Sequence, residues 1–311
     1  MGKFKELLYA SMKSKDTEEW IDIYITRPIG LAFALIGKKL GIHPNAVTVL
    51  SMILGVGAAW MFWHTDLWHN IMGVVLLFSA NICDSADGQL ARLTGKKTLV
   101  GRVLDGFAGD LWFFTIYFAI CMRLFFTTMP GTDVEWHMWI FVLGFLSGIM
   151  SHTPQASLSD YYRQIHLFFL KGDKGSELDN SASQRAILRS LPRKQWLARL
   201  FYMNYSHYCE SQEKRTPRFQ TFISKLKAAG ENDYDREALR TEFINGSRPL
   251  MKYTNFLTFN SRAILIYITC LANVPYIYFI IEVVVYNIIY IYMRHRHEAL
   301  CKRMTSKYLG A

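Results

Sequence analysis

The chain has 311 residues, 51% of them hydrophobic, and its 35 Lys and Arg against 25 Asp and Glu give a formal net charge of +10. So apolar a composition excludes a disordered chain, and five cysteines, odd in number and without a C-x-x-C pair, exclude a disulfide scaffold. The apolar residues gather in runs of about 20, long enough to cross a hydrocarbon core of about 30 Å, so an all-α integral membrane protein is expected.

Residues 1–44 carry seven cations and no compact apolar core ahead of a small-residue cleavage site, so no cleavable signal peptide is expected. Within 16–40, Trp20, Ile21, Ile23, Ile25, Ile29 and Phe33 alternate with charges. That pattern predicts an amphipathic helix lying in the interface, broken near Arg27-Pro28. Six transmembrane helices are predicted, at about 45–63, 71–92, 101–127, 136–159, 253–273 and 275–293. Pro44 suits a helix start, where its missing N–H costs nothing.

The loops 64–70 and 128–135 hold no Lys or Arg, whereas 93–100 holds Lys96 and Lys97 and 294–311 holds Arg294, Arg296, Lys302, Arg303 and Lys307. The positive-inside rule therefore predicts both termini in the cytoplasm. Residues 160–252 differ in kind, with 17 Lys and Arg against 11 Asp and Glu. Helical stretches are predicted around 183–205 and 216–229, after a turn at Gly172-Asp173-Lys174-Gly175. The segment is expected to be a cytoplasmic helical insertion on the membrane surface, each cation contributing about 1 kcal/mol of attraction to anionic headgroups. A solvated basic face without a partner is the plainer alternative, and no nucleic-acid recognition motif is present. The expected organisation is thus a juxtamembrane segment (1–44), four spans (45–159), the insertion (160–252), and two spans with a basic tail (253–311).

The second and third spans contain Asp84, Asp87, Asp105 and Asp110, all near their cytoplasmic ends. An intramembrane carboxylate costs about 3 kcal/mol on the mildest scale and is a functional candidate by default. At 100° per residue, Asp84, Asp87, Gly88, Ala91 and Arg92 fall within an arc of roughly 140°. The short loop 93–100 folds the next helix back beside this face. Carboxylates converging on one cleft repel unless cations neutralise them, and hard oxygen ligands select Mg²⁺, Mn²⁺ or Ca²⁺. Gly88, Ala91 and Gly101 leave room for a diphosphate, and Arg92 offers a planar cation to it. Close helix packing accounts for the small residues equally well; it does not account for the aspartates.

Asp84-Ser-Ala-Asp87-Gly88-Gln-Leu-Ala91-Arg92, eight residues, then Gly101-Arg-Val-Leu-Asp105 resembles the signature of the CDP-alcohol phosphotransferases. That signature is D-x-x-D-G-x-x-A-R, seven or eight residues, then G-x-x-x-D-x-x-x-D. His43-Pro44-Asn45-Ala-Val-Thr48 resembles the family's entry to its first span, and the likeness covers about residues 40–160. It implies an enzyme in which a hydroxyl attacks the β-phosphorus of a CDP-linked alcohol and expels CMP. It implies Mg²⁺ or Mn²⁺, two ions, held by Asp84, Asp87, Asp105 and the motif's last aspartate, which also serves as general base. Gly88, Ala91, Arg92 and Gly101 would line the CMP-diphosphate site, and members are commonly homodimers.

The sequence departs from the signature at its end. Gly109 occupies the last position and Asp110 follows one residue late, which in a regular helix points about 140° away from Asp105. A π-bulge near Gly106 and Gly109 would swing Asp110 inward as the displaced base, and that bulge is expected here.

Within the family the donor is either CDP-diacylglycerol, with a polar alcohol attacking, or CDP-choline or CDP-ethanolamine, with diacylglycerol attacking. CDP-diacylglycerol with inositol or inositol phosphate is the reading adopted. A phosphorylated acceptor would need cations beyond Arg92, for which Arg102, Arg123, Arg163 and Lys171 are available, with His152 and Asp160 near the same exit. A membrane prenyltransferase would carry a second Asp cluster, yet the last two spans hold Glu282 alone. A cation transporter would distribute its acids along a path through the bilayer.

Overall fold

The computed structural model describes residues 2–10, 14–96, 98–172, 175–229 and 235–310. Lys97, Asp173 and Lys174, named above, lie outside them, as does the side chain of Arg102. Among the described residues the chain is helical, with no strand and one isolated bridge between Thr128 and Glu135. Packing divides it into two units, residues 1–153 with 259–285, and residues 154–258 with 286–311.

The first unit begins with α1 (Lys3–Ala10), a π-helical turn (Asp22–Thr26) and α2 (Arg27–Lys39). It continues through α3 (Pro44–Trp63), α4 (Leu67–Thr94), α5 (Leu99–Leu124), α6 (Met138–Phe145) and a second π turn (Leu146–His152). The second unit contains most of α7 (Thr153–Lys171), then α8 (Ser181–Ser190), α9 (Trp196–Arg215), α10 (Pro217–Ala228), α11 (Arg236–Ser247) and α12 (Met251–Phe256). The chain then returns to the first unit with α13 (Phe259–Leu271) and α14 (Tyr276–Ile281), and leads by a third π turn (Glu282–Tyr286) to α15 (Asn287–Tyr308) of the second.

Four helices are long and apolar enough to cross a membrane: Pro44–Trp63, Leu67–Thr94, Val103–Leu124 and Tyr276–Tyr308, the last running through α14 and α15. They match the first three and the last of the six expected spans. The segment 136–159 instead divides into α6, a π turn and the start of α7, and 253–273 is interrupted between α12 and α13. The break expected at Arg27-Pro28 is not a break. The helix passes into α2 through the π turn, in which the Arg27 N–H reaches back to the Asp22 carbonyl. A widened turn just ahead of proline relieves the clash its ring would otherwise make with the preceding turn.

Local chemistry fixes the hairpin that matters. Asp66 caps α4 by accepting from the His69 N–H at 3.2 Å, and Gly95 ends that helix in the left-handed region at φ 70°, where only glycine is unstrained. Thr98 caps α5, accepting from the Gly101 N–H at 3.0 Å. α3 then packs on both. A Cβ at Gly55 would overlap Cδ1 of Trp112, so the α3–α5 approach depends on glycine there.

Two buried polar hubs hold the first unit. Arg123, near the end of α5, donates to the carbonyls of Phe62 (3.0 Å) and Cys270 (3.3 Å) and to the side-chain oxygens of Asn70 (2.8 Å) and Asn273 (2.6 Å). Its charge thus meets the C-terminal ends of α3 and α13, where the helix dipole favours a cation. Arg262 and Glu282 form a fully buried pair at 3.1 Å, which Tyr278 extends at 3.2 Å to Tyr117 and then His152. Glu282, the lone acid of the last two predicted spans, is therefore charge-compensated.

In the second unit, Phe169, Phe219, Phe222 and Phe243 gather around His297, whose ring stacks on Tyr162 at 3.8 Å. Glu298 accepts from the Arg218 N–H at 2.8 Å, capping α10. On α9 the large apolar residues Trp196, Leu197, Leu200 and Met203 remain exposed.

Candidate active site

The site lies on the α4–α5 hairpin. Asp84 and Asp87 stand about three and two turns before the Gly95 cap, and Asp105 in the second turn of α5. One carboxylate oxygen from each of the three lies within 4.8 Å of the others. At that separation each pair of charges repels by about 3 kcal/mol at an effective dielectric of about 20. Three such repulsions are tolerated only with cations or protons to offset them. Asp87 is 4% exposed, and its Oδ2 has no hydrogen-bond partner. A buried, orphaned carboxylate oxygen in an all-oxygen group suits a hard divalent cation, so the residues present fit one.

The small residues shape the ground beside this group. A Cβ at Gly88 would sit 3.4 Å from Nη1 of Arg92, in ordinary contact, so the guanidinium lies directly over this glycine. At Gly101 it would lie 3.1 Å from Oδ1 of Asn45, which lets the first turn of α5 approach the first turn of α3. Ala91 is half-buried on the same face of α4. Arg92 is within electrostatic reach of Asp87 and Asp105. The hairpin thus brings together Asp84, Asp87, Asp105 and Arg92, with Gly88, Ala91 and Gly101 around them.

It does not bring in Asp110. α5 is regular α-helix from Leu99 to Leu124, and the π-bulge expected between 105 and 110 is absent. Asp110 is exposed, and the grouped carboxylates are Asp84, Asp87 and Asp105. The physical reason is register. Trp112 is seven residues from Asp105, roughly 20° away around the helix, so a regular helix that seats Trp112 keeps Asp105 on that same side, exposed but beside Asp84 and Asp87. A bulge that redirected Asp110 would turn 2%-exposed Trp112 off its seat at Gly55. At the motif's own last position, a Cβ on Gly109 would meet nothing within 4 Å.

Other sequence candidates are engaged elsewhere. Arg123 is committed to the hub at the far end of α5, and His152 is held by Tyr117 at 2.9 Å. In the second unit Arg163 donates to Asn255 at 2.7 Å, Lys171 is exposed at the end of α7, and Asp160 accepts from Gln164 at 3.4 Å.

Sequence reasoning missed the N-terminal charges. α2 docks on α4 through Gly30, Ala34 and Gly37, and Gln89 donates to the Arg27 carbonyl at 3.2 Å. This places Asp22 and Arg27 within electrostatic reach of Asp84. Arg27 is itself gripped by Glu18 through two bonds of 2.9 and 2.8 Å. No motif marks these residues; they read as ordinary charges of an interfacial helix.

Residues 41–165 match the sequence model of a family described as CDP-alcohol phosphatidyltransferase. A curated relative, the archaetidylinositol phosphate synthase of Pyrococcus horikoshii, is 33% identical over 90 residues. That stretch is 28% of this chain and 46% of the relative, so the chain spans about half the length of the protein it matches.

Proposed function

We propose, from the match of residues 41–165 to the CDP-alcohol phosphatidyltransferase family and from the four helices long and apolar enough to cross a membrane, an integral membrane transferase that moves a phosphoalcohol from a CDP-linked donor to an alcohol and releases CMP. The observation that carries this is the convergence of Asp84, Asp87 and Asp105 within 4.8 Å, with Arg92 in electrostatic reach. The donor is CDP-diacylglycerol and the acceptor inositol or inositol phosphate. The Pyrococcus horikoshii relative, an archaetidylinositol phosphate synthase, supports a phosphorylated inositol acceptor. Arg27, in electrostatic reach of Asp84 and held by Glu18, supports it too, as a second cation on this side of the unit for an acceptor phosphate.

Asp84, Asp87 and Asp105 would hold divalent cations, two Mg²⁺ or Mn²⁺ ions, which when bound would offset the carboxylate charge and stabilise charge developing on the diphosphate oxygens. Arg92 binds the diphosphate through its planar fork. Gly88, Ala91 and Gly101 leave the cleft floor low enough for the CMP moiety to lie against the helices. The acceptor hydroxyl attacks the β-phosphorus, a P–O bond forms, and the bond to the CMP oxygen breaks.

The cleft and both termini face the cytoplasm, supported by the arginines and lysines of 294–311. The exposed apolar stripe of α9, preceded by Arg193 and Lys194, supports an insertion resting on the bilayer surface. The working assembly is a homodimer. The test is CMP release by purified protein with Mg²⁺, crossing CDP-diacylglycerol with inositol, inositol phosphate, glycerol phosphate and serine, and CDP-ethanolamine with diacylglycerol. Turnover confined to CDP-diacylglycerol with an inositol acceptor is expected. Turnover with diacylglycerol alone would move the protein to the other branch, and silence on every pair would refute the activity.

A further inference from the structure

The aspartate motif lacks its last carboxylate. Gly109 sits at that position with open space where a side chain would stand, and regular α5 turns Asp110 away from Asp105. A different segment of the chain brings a carboxylate within electrostatic reach of Asp84. Asp22 opens the π turn that precedes α2, and it accepts a hydrogen bond of 3.0 Å from Nδ2 of Asn260. Asn260 is buried and accepts in turn from Asn81 at 3.4 Å. Asn81 lies three residues before Asp84, on the same face of α4 at about one turn's distance. Two side-chain bonds therefore tie Asp22 to the helix face that carries the metal-site candidates, and Asp22 is in electrostatic reach of Asp84.

The π turn is what makes this placement work. Its i→i+5 bond, from the Arg27 N–H to the Asp22 carbonyl, stacks Arg27 over Asp22. Five residues apart in an ordinary α-helix, the two would diverge by about 140°. Widened turns of this kind are concentrated at functional sites. The cleft itself is independently marked by the orphaned, buried Oδ2 of Asp87.

We infer that Asp22 supplies the carboxylate missing at position 109, and that it accepts the proton of the attacking hydroxyl. This rests on the proposed transferase reaction. The hydroxyl oxygen bonds to the β-phosphorus, the phosphorus–CMP oxygen bond breaks with its electron pair leaving on CMP, and the hydroxyl proton passes to Asp22. The carboxylate then returns it to water at the interface. The catalytic set is thus assembled from two places, three acids on the hairpin and one on the juxtamembrane turn.

The test compares Asp22→Asn, Asp22→Asn with Gly109→Asp, and the unaltered protein, purified in detergent with CDP-diacylglycerol and inositol phosphate. The expected result is that Asp22→Asn lowers kcat at least about 100-fold, the scale of a lost general base, with KM for the donor unchanged. Mn²⁺ binding followed by electron paramagnetic resonance stays at the unaltered level, and Gly109→Asp in the same protein restores at least about tenfold of the loss. Asparagine keeps the acceptor oxygen that Asn260 uses, so a merely structural Asp22 would tolerate the change. A kcat within about threefold of the unaltered protein overturns the inference, as does loss of Mn²⁺ binding together with kcat, or no gain from Gly109→Asp. Absence of CMP release by the unaltered protein would refute the transferase reading itself, and its own turnover in the same assay tells the two failures apart.

Discussion

Asp105 and Asp110 ride on one uninterrupted α-helix and point about 140° apart, so that only Asp105 joins Asp84 and Asp87. Five residues of sequence separate two carboxylates with different surroundings. The difference can be read in activity. Asp84→Asn and Asp105→Asn are expected to lower CMP release at least about 1,000-fold while the protein still purifies as a folded species. Asp110→Asn should cost far less than either. Equal losses from Asp105→Asn and Asp110→Asn would return Asp110 to the cleft.

Metal removal should act on both activity and stability. EDTA is expected to abolish CMP release, with Mg²⁺ or Mn²⁺ restoring it. A cation that binds the native site and not the unfolded chain adds about 2.7 kcal/mol at 100 times its dissociation constant, seen as a rise in melting temperature. The same addition to Asp84→Asn should raise it much less, because one of the three proposed ligands is gone.

Arg123 is a structural cation, and its loss should appear in stability alone. Arg123→Leu leaves the Phe62 and Cys270 carbonyls and the side chains of Asn70 and Asn273 without their shared donor. Buried groups so stranded cost about 1–3 kcal/mol each, so a loss of at least about 3 kcal/mol is expected in a thermal melt. The kcat per folded molecule should be unchanged at a temperature where both proteins are folded.

The Arg262–Glu282 pair should show strong non-additivity. Both side chains are fully buried, so Arg262→Met or Glu282→Leu alone leaves an uncompensated charge and should cost about 3–5 kcal/mol. The double substitution removes both charges and should cost less than either single one. A double-mutant cycle by chemical denaturation measures this, and additive losses would mean the two do not act as a pair.

The α9 stripe is expected to sit in lipid headgroups. Brominated lipids in nanodiscs should quench Trp196 fluorescence more strongly than an aqueous quencher does. Leu200→Asp should reverse that order while leaving the fold intact.

How much of this was legible in the sequence follows from the range of the forces involved. The hairpin and the shared face of Asp84, Asp87 and Arg92 could be read because helical periodicity and caps such as Thr98 are local. The bulge expected at 105–110 was a local guess about a position decided by distant packing, the seating of Trp112 against Gly55. Conversely, the π turn at 22–26 left only Pro28 as a trace, and a proline there is equally compatible with a break. Asp22 carries no motif because its hydrogen-bond partner Asn260, and Asn81 behind it, are far away along the chain.

A widened turn also works as a rotational ratchet. It holds one residue more than an α turn, so a change that closed 22–26 to ordinary helix at unchanged length would spin everything before it by about 100°. Trp20, 66% exposed, would turn with it. Deleting one residue as the turn closes would instead keep the preceding residues in register, so in this stretch a substitution that removes the widening is a harsher change than a matched deletion.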